Sequence, residues 1–430
     1  TKLWHSFTNL YNLINNIENS ESLEDVLEGE ILPSITRIGW RQFGWQIGYR
    51  TQSRMFRAMW LYNFPEANQH FTETNGISLE RFCFVAFAVF SQLRDYPAVR
   101  TNMSLKSAGI SDAEWNATFR IISLTSAGAR RAAFKDRAGV GQIAYKPSIL
   151  RRLPMILVQN GDLEEAYCPL PDLLFLRFSD GIFYDLVGEG NLRRIIGERF
   201  ETYTVEITDH YFSGNFRVLP EAEYGTKASQ KKTPDVRVVS SDNELRVVIE
   251  CKAKKIPFKV MSSPNPYLEN SDTYDELIKG VCQIWRYVSD ARRQVADDNW
   301  SISDHVVGVV LMLEPWFEMS NDTIEHVTNA AEKRCAKNPE IEQQDRIAVS
   351  FVAIDDWEYS LRIIGSEGIL SALNRHSRSD RFGYLLSSVV KEIRSEFAEP
   401  TDPYDYQKGT HIVLPWMKDL AERNIPITDE

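Results

Sequence analysis

The sequence predicts an α/β core, in which helices flank a central mixed sheet, with a mostly helical domain in front of it. Three observations support this fold class. Apolar residues recur at helical intervals through most of residues 1–187, helix and strand patterns alternate over residues 188–365, and helical spacing returns over residues 366–430. We therefore expect an N-terminal domain for recognition, regulation or assembly, a functional core, and a C-terminal extension that packs on the core.

The N-terminal region contains two segments, residues 41–64 and 79–93, with the apolar spacing of helices. Further on, Ser111 and Glu114 form the capping-box pattern that starts a helix. A shorter helical pattern ends at Gly109, just before this cap. We interpret the two helices as a hairpin in a core, with a helix-turn-helix as the alternative.

The core region alternates between the two kinds of periodicity, and a polar basic linker over residues 225–233 separates its first strand from the next two. The predicted helices are 191–210, 274–295 and 322–336, and the predicted strands are 216–219, 235–240, 245–254, 305–313 and 348–354. Residues 382–397 are predicted to form a helix in the C-terminal extension. This order of elements is typical of a mixed sheet between helices.

Composition places the chain among globular proteins, since 43% of its 430 residues are hydrophobic and 25% are charged. The longest apolar run, residues 82–90, is too short for a membrane-spanning helix, which needs about 20 residues. The first twenty residues lack the apolar core of a signal peptide. Five scattered cysteines without a CxxC pattern favour a reducing compartment. We expect a cytoplasmic protein that does not bind membranes.

The net charge of −11 hides two basic stretches. Residues 120–152 contain eight basic side chains against one acid, and residues 225–260 contain nine against four. Because charge distribution matters more than its sum at physiological salt, these stretches permit a polyanionic partner such as DNA, although a basic stretch is commonly a solvated surface. The candidate phosphate contacts are Arg130, Arg131, Lys135, Arg137, Lys254 and Lys255.

Charged residues occupy an otherwise apolar strand near its end. Alternation puts Glu250 and Lys252 on one face, while Cys251 points to the opposite, apolar face. Asp235 starts the preceding strand and lies across from Glu250 if residues 241–244 close a hairpin. Two neighbouring carboxylates repel each other, and a divalent cation resolves that conflict. Mg²⁺ prefers oxygen ligands and keeps waters and substrate phosphate oxygens. A lysine beside it can stabilise charge on a phosphate.

Pro234-Asp235 followed by Glu250-Cys251-Lys252 on consecutive strands resembles the motif of the PD-(D/E)xK, or restriction-endonuclease-like, nuclease superfamily. The resemblance implies a restriction-endonuclease-like core. It also implies Mg²⁺, for which Mn²⁺ can substitute, held by Asp235, Glu250 and the backbone carbonyl of Cys251. Lys252 is the implied catalytic lysine.

Members of this superfamily often carry a further acid on the helix before the sheet, and Glu201 matches it, with Glu198 as the alternative. Glu201 is then implied to assist through the metal or through water. Some members also carry a glutamine and an aromatic residue on the helix after the lysine strand, which Gln283 and Tyr287 match. The resemblance covers about residues 188–354 and makes residues 188–365 the expected nuclease domain.

The expected function is therefore a Mg²⁺-dependent DNA endonuclease, by analogy one of restriction or anti-phage defence. The alternatives are an RNA nuclease and a catalytically silent nuclease-fold subunit that binds DNA or protein. The sequence contains no P-loop, so an energy-dependent step is expected to need a separate ATPase or regulatory subunit. Cleavage of both strands usually calls for two active sites, which a homodimer would supply, although the sequence does not specify the assembly. Neither zinc-ligand spacing among the seven histidines nor a GxSxG elbow is present.

Overall fold

The computed structural model describes residues 2–27, 51–93, 95–138, 148–188, 190–227, 229–255, 271–296, 300–314 and 321–422. Contacts divide the chain into two units. Within the described ranges the first unit comprises residues 2–27 and 75–181, and the second comprises residues 51–74, 182–255 and 271–422. Segment 51–74, which the sequence analysis assigns to the N-terminal domain, therefore groups with the second unit, as does the C-terminal extension.

The first unit combines helices with a small sheet. Its helices are α1 (Lys2–Leu27), α4 (Leu79–Gln92), α5 (Asp112–Ile122), α6 (Ser126–Ala138) and α7 (Pro171–Arg177), and its strands are β1 (Ala98–Arg100), β2 (Ser123–Thr125), β3 (Met155–Asn160) and β4 (Leu163–Tyr167). The strand order is β1-β4-β3-β2, in which β2 and β3 are parallel and the other pairs antiparallel. The sequence analysis missed this sheet.

The second unit contains the larger sheet. Its helices are α2 (Gln52–Tyr62), α3 (Pro65–Asn75), α8 (Phe183–Leu186), α9 (Gly190–Phe212), α10 (Ser271–Arg292), α11 (Asn321–Cys335), α12 (Ile354–Ile363), α13 (Ser366–His376), α14 (Leu386–Ile393), α15 (Tyr406–Val413) and α16 (Pro415–Glu422). Its strands are β5 (Phe216–Pro220), β6 (Glu223–Tyr224), β7 (Lys231–Lys232), β8 (Val236–Ser240), β9 (Glu244–Lys252), β10 (Ser301–Met312) and β11 (Val349–Ala353). None of the described helices combines the length and apolar composition needed to cross a membrane.

The sheet of the second unit is mixed, as predicted, with the order β11-β10-β9-β8-β5. Strands β9, β10 and β11 are parallel to one another, whereas β8 is antiparallel to both β9 and β5. Strand β9 is thus the central strand. Helix α9 packs on β5, β8 and β9, and α10 packs on β9 and β10. Strands β8 and β9 and residues 306–312 of β10 are rich in valine and mostly buried, as expected for a sheet that helices cover.

Two local predictions had different outcomes. The capping box at the start of α5 is present, since Ser111 and Glu114 each bond the other's backbone N–H. The predicted helical hairpin, however, is wrong. Where its first helix was expected, immediately before the cap, the chain forms one 3₁₀ turn, Lys106–Ala108. Gly109 follows that turn with φ 76°, a left-handed conformation that glycine adopts without strain. The predicted linker contains β7, which pairs antiparallel with β6 just before the linker.

The carboxylate of Glu114 should stabilise the first unit in a pH-dependent way. The pKa of Glu114 is lowered to about 2, chiefly by its hydrogen bond from Arg81 and also by its bonds to Ser111. A depressed acid pKa stabilises the folded state above the unfolded pKa, and this stabilisation is lost as pH falls toward the folded pKa. Glu114→Gln should cost about 1 kcal/mol at about pH 7, since solvent still reaches the partly exposed group, and much less at about pH 3.

Urea unfolding curves at both pH values measure this difference. Ser91→Ala is the matched control, because the Ser91 hydroxyl bonds only within its own helix, to the Phe87 carbonyl, among the described contacts. A Glu114→Gln cost that does not shrink on acidification would contradict the assignment.

Candidate active site

The β8–β9 hairpin brings two carboxylates together. In its register Val236 lies opposite Ile249, so the next pair toward the open end is Asp235 and Glu250. A turn over residues 241–244 closes the hairpin, and Asn243 in it has φ 65°. Both carboxyl side chains are buried, with 6% exposure for Asp235 and 3% for Glu250. The predicted juxtaposition of these two residues is therefore present.

A third carboxylate continues the row. Strand β5 pairs with β8 so that Pro220 lies opposite Val236, which places Glu221, one residue further on, opposite Asp235. Residues opposite each other on antiparallel strands share a face. Glu221, Asp235 and Glu250 therefore follow one another across three strands at the same end of the sheet. The sequence analysis did not identify Glu221, whose carboxylate is partly exposed and pairs with Lys232 at 2.8 Å.

Helix α9 adds a fourth acid to this end of the sheet. Glu201 is half-buried, and burial raises its pKa to about 7, assisted by the negative charges of Glu221 and Glu250. Its alternative, Glu198, is exposed and pairs with Arg194 on the same helix. The structure thus brings Glu201, rather than Glu198, into the electrostatic environment of the carboxylate row.

Lys252 provides a positive charge inside this acidic group. Its Nζ lies 2.9 Å from Glu250 Oε1 and donates to Gln283 Oε1 at 3.2 Å. Burial lowers the pKa of Lys252, but the attraction of Glu250 outweighs this and leaves the pKa raised, so the ammonium stays protonated at neutral pH. Gln283, predicted from α10, therefore contacts the predicted catalytic lysine directly.

A glycine makes room for the lysine. A Cβ on Gly280 would lie 3.0 Å from Lys252 Cε and 3.5 Å from Glu250 Cγ. Helix α10 thus approaches the face of β9 that carries Glu250 and Lys252, with no side chain between them at this position. Cys251 lies on the opposite face, where it interacts with Thr204 of α9, and burial raises the pKa of its thiol. Cys251 is a core residue, as predicted.

The charged forms of the two buried carboxyls are both disfavoured by their surroundings. Burial raises the pKa of Asp235 well above its usual value, and the charges of Glu250 and Glu201 raise it further. Burial also raises the pKa of Glu250, although Lys252 opposes this. Asp235 Oδ2 accepts a hydrogen bond from the Cys251 N–H at 2.6 Å, whereas Glu250 Oε2 is buried without a hydrogen-bond partner among the described residues. An orphaned carboxylate oxygen beside a second acid fits a hard cation.

The donor set suits an ion that keeps part of its water shell. In the described part of the chain, no three or more His, Cys, Asp or Glu side chains are grouped closely enough to hold a metal ion among themselves. Mg²⁺ commonly binds through only one or two carboxylates, with waters and substrate oxygens as its other ligands. Asp235 and Glu250 meet that smaller requirement, and the carbonyl of Cys251 stays a prediction.

Other predicted site residues are located elsewhere. Tyr287 is fully buried, with its ring against Tyr224 and under the guanidinium of Arg237, so it belongs to the core. Lys255, a predicted phosphate contact, is buried and pairs with Glu314 at 2.9 Å. Its ammonium is therefore paired inside the protein and does not reach a DNA phosphate, so the predicted contact at Lys255 is wrong.

The remaining predicted DNA contacts are distributed over both units. Lys254 is partly buried just after β9, and burial lowers the pKa of its ammonium. Helix α6 of the first unit carries Arg130, Arg131, Lys135 and Arg137. Of these, Arg130, Arg131 and Lys135 have exposed side chains. Their contact with DNA stays a prediction.

Two site residues found in the structure had weak sequence signals. Glu221 lies two residues after a predicted strand, but its position opposite Asp235 depends on the pairing of β5 with β8, which the sequence alone does not specify. Gly280 lies in the middle of a predicted helix, where an isolated glycine indicates a packing or functional requirement. Comparisons of this chain with protein-family models, with curated proteins and with solved structures find no match.

Proposed function

We propose that the chain is a Mg²⁺-dependent nuclease that hydrolyses phosphodiester bonds in DNA, with a restriction-endonuclease-like core in its second unit. The observation that carries this proposal is the pairing of Asp235 with Glu250, two buried carboxyls with raised pKa values, beside the protonated Lys252. An ion pair with a purely structural role would need only one carboxylate beside Lys252, whereas two are present here. A buried surplus of negative charge is costly unless a cation accompanies it.

Each residue has a role that its surroundings favour. Asp235 and Glu250, with the Cys251 carbonyl, hold the ion, which when bound polarises the phosphodiester and offsets its developing negative charge. Lys252 stabilises charge on the scissile phosphate and on the attacking water. Gln283 orients the ammonium of Lys252 through their 3.2 Å contact. Glu201, with a pKa of about 7, is suited to exchange a proton with water near neutral pH.

The proposed partner is DNA, which the protein would contact through backbone phosphates rather than through the bases that carry the sequence. The exposed Arg130, Arg131 and Lys135 on α6, with Arg137 and Lys254, are the proposed phosphate contacts. Such contacts make binding strongly dependent on salt concentration. Restriction or anti-phage defence is the proposed setting, with a homodimer and a separate ATPase or regulatory subunit as proposed partners.

The test uses supercoiled plasmid DNA with wild type, Asp235→Asn and a control, Glu198→Gln. Wild type and control should nick the plasmid in Mg²⁺ or Mn²⁺ and stop in EDTA, whereas Asp235→Asn should lose about 100-fold or more of the rate, because a metal ligand is gone. Glu198 is the matched control, because it is an acid on the same helix as Glu201 but pairs with Arg194 outside the carboxylate row.

Two results would refute the assignment. Equal nicking by all three proteins would show that the activity does not come from this site. Absence of nicking from all three, together with thermal unfolding that Mg²⁺ does not shift, would show that the carboxylates do not bind the ion. Matched single-stranded RNA in the same assay distinguishes an RNA nuclease from a DNA nuclease.

A further inference from the structure

Two cysteines face each other across the contact between α10 and α11. Cys282 Sγ lies 3.7 Å from the backbone carbonyl oxygen of Ala331, one helical turn before Cys335 on the same face of α11. Each thiol also shifts the pKa of the other, as expected for neighbouring side chains. Both cysteines are reduced in this structure. The contact with the Ala331 carbonyl, one turn before Cys335, therefore places Cys282 beside Cys335.

The surrounding contacts hold the two helices in place. Arg334, next to Cys335, forms an ion pair with Asp275 near the start of α10. Further along α10, Trp285 Nε1 donates at 2.9 Å to the carbonyl of Ile347, which precedes β11. The ion pair thus joins α10 to α11, and the tryptophan holds α10 to the chain before β11. A disulfide requires close, well-oriented Cβ positions, and two cysteines that neighbour each other between packed helices are suited to that requirement.

The environment favours reaction of one thiol. The neighbouring thiol of Cys282 lowers the pKa of Cys335. Burial opposes this, and the charges of Arg346, Arg334 and Arg286 lower the pKa further. The thiolate is the nucleophilic form of cysteine. Cys335 is only 3% exposed, but Cys282 is partly exposed, which gives a small oxidant access to the pair.

We propose that Cys282 and Cys335 are a reversible oxidation site that closes a disulfide between α10 and α11 on reaction with a hydroperoxide. With hydrogen peroxide, the O–O bond breaks and the S–S bond forms. The two thiol protons pass to the two peroxide oxygens, and two water molecules leave. The sulfurs lose two electrons in total and the peroxide oxygens gain them. A dithiol reductant reverses the reaction by thiol–disulfide exchange.

The cross-link lies next to the candidate active site. Cys282 immediately precedes Gln283, whose side chain contacts Lys252, and Gly280 lies two residues before Cys282. The disulfide therefore fixes the turn of α10 that faces Glu250 and Lys252. The oxidation site does not depend on the nuclease proposal, because it rests on the two helices and their thiols alone.

The experiment treats the reduced, full-length protein with increasing hydrogen peroxide, alkylates the remaining thiols, digests without reductant and identifies peptides by mass spectrometry. We expect a cross-linked peptide pair containing Cys282 and Cys335, two hydrogen masses below the sum of the reduced peptides. It should disappear with dithiothreitol and form at lower peroxide than any product at the buried Cys83 or Cys168. The oxidised protein should also melt at a higher temperature than the reduced one.

Three variants complete the experiment. Cys282→Ser and Cys335→Ser should each abolish the cross-link and the rise in melting temperature, whereas Cys168→Ser should retain both. Sulfinic or sulfonic acid at either residue without a cross-link, thiols that stay unmodified, or a cross-link that forms only in denaturant would each overturn the proposal.

Discussion

Replacing Lys252 with methionine is expected to slow Mg²⁺-dependent cleavage of plasmid DNA by about 10²–10⁴-fold. The wild-type ammonium lies 2.9 Å from Glu250 Oε1 and stays protonated at neutral pH. Methionine retains the long apolar stem that packs against Gly280 but removes the charge that stabilises the reacting phosphate. The rate constant at saturating Mg²⁺ is the measurement.

Binding of the ion separates a catalytic loss from a structural one. Asp235 and Glu250 remain in Lys252→Met, so Mg²⁺ at about 100 times its Kd should still stabilise this variant by about 2.7 kcal/mol, seen as a higher melting temperature. Asp235→Asn should lose that stabilisation. Lys279→Met is the matched control, because Lys279 is a half-exposed lysine of α10 that pairs with Asp275 and Glu276, outside the carboxylate row, and the variant should retain most of the cleavage rate. A Lys252→Met rate near that of wild type would exclude the proposed role.

The hairpin that builds the site could be predicted from sequence because its information is local. The alternation of Glu250 and Lys252 against Cys251 depends only on the strand period, and the polar turn over residues 241–244 marks the hairpin. A bulge between Val238 and Val239 shifts the register by one residue, so that Glu250 rather than Ile249 lies opposite Asp235, and the sequence does not indicate this bulge. The missed β3–β4 hairpin was also within reach. It turns at Gly161-Asp162, with Gly161 at φ 63°, and Gly-Asp between two strands is a hairpin signal.

The features that sequence reasoning missed depend on contacts distant along the chain. Glu221 joins the carboxylate row through strand pairing, and Gly280 faces Lys252 because α10 crosses β9. Lys255 belongs to a basic run in the sequence, yet it pairs with Glu314, which follows β10. A charge pattern gives the composition of a surface only where the side chains are exposed, and burial is a property of the whole fold.

Segment 51–74 is the largest such case, and one buried arginine ties it to the second unit. Arg57 of α2 is 1% exposed and lies 2.7 Å from Glu358 Oε2 of α12. It also pairs with Asp355, which Arg54 contacts as well. The hydroxyl of Tyr203 on α9 donates to the same Glu358. One side chain therefore connects α2 to α12, and through Glu358 to α9.

Replacing Arg57 with methionine should destabilise the second unit by about 3–5 kcal/mol. Methionine fills a similar volume but leaves Glu358 and Asp355 without their shared cation. Burial already raises the pKa of Glu358 even with Arg57 present, so removal of the arginine should raise it further. The double variant Arg57→Met/Glu358→Gln should recover part of the loss, since the isolated buried charge is removed.

The control and the readout make this prediction specific to the buried pair. Arg194→Met breaks an ion pair whose side chains are 61% and 56% exposed, and it should cost at most about 1 kcal/mol. Hydrogen exchange locates the effect: Arg57→Met should speed exchange in α12 and β11, whereas Glu114→Gln should speed it in α5. Faster exchange confined to α2 in Arg57→Met would mean that α2 is attached only peripherally. Faster exchange in α12 and β11 would instead establish α2 as part of the unit that carries the carboxylate row.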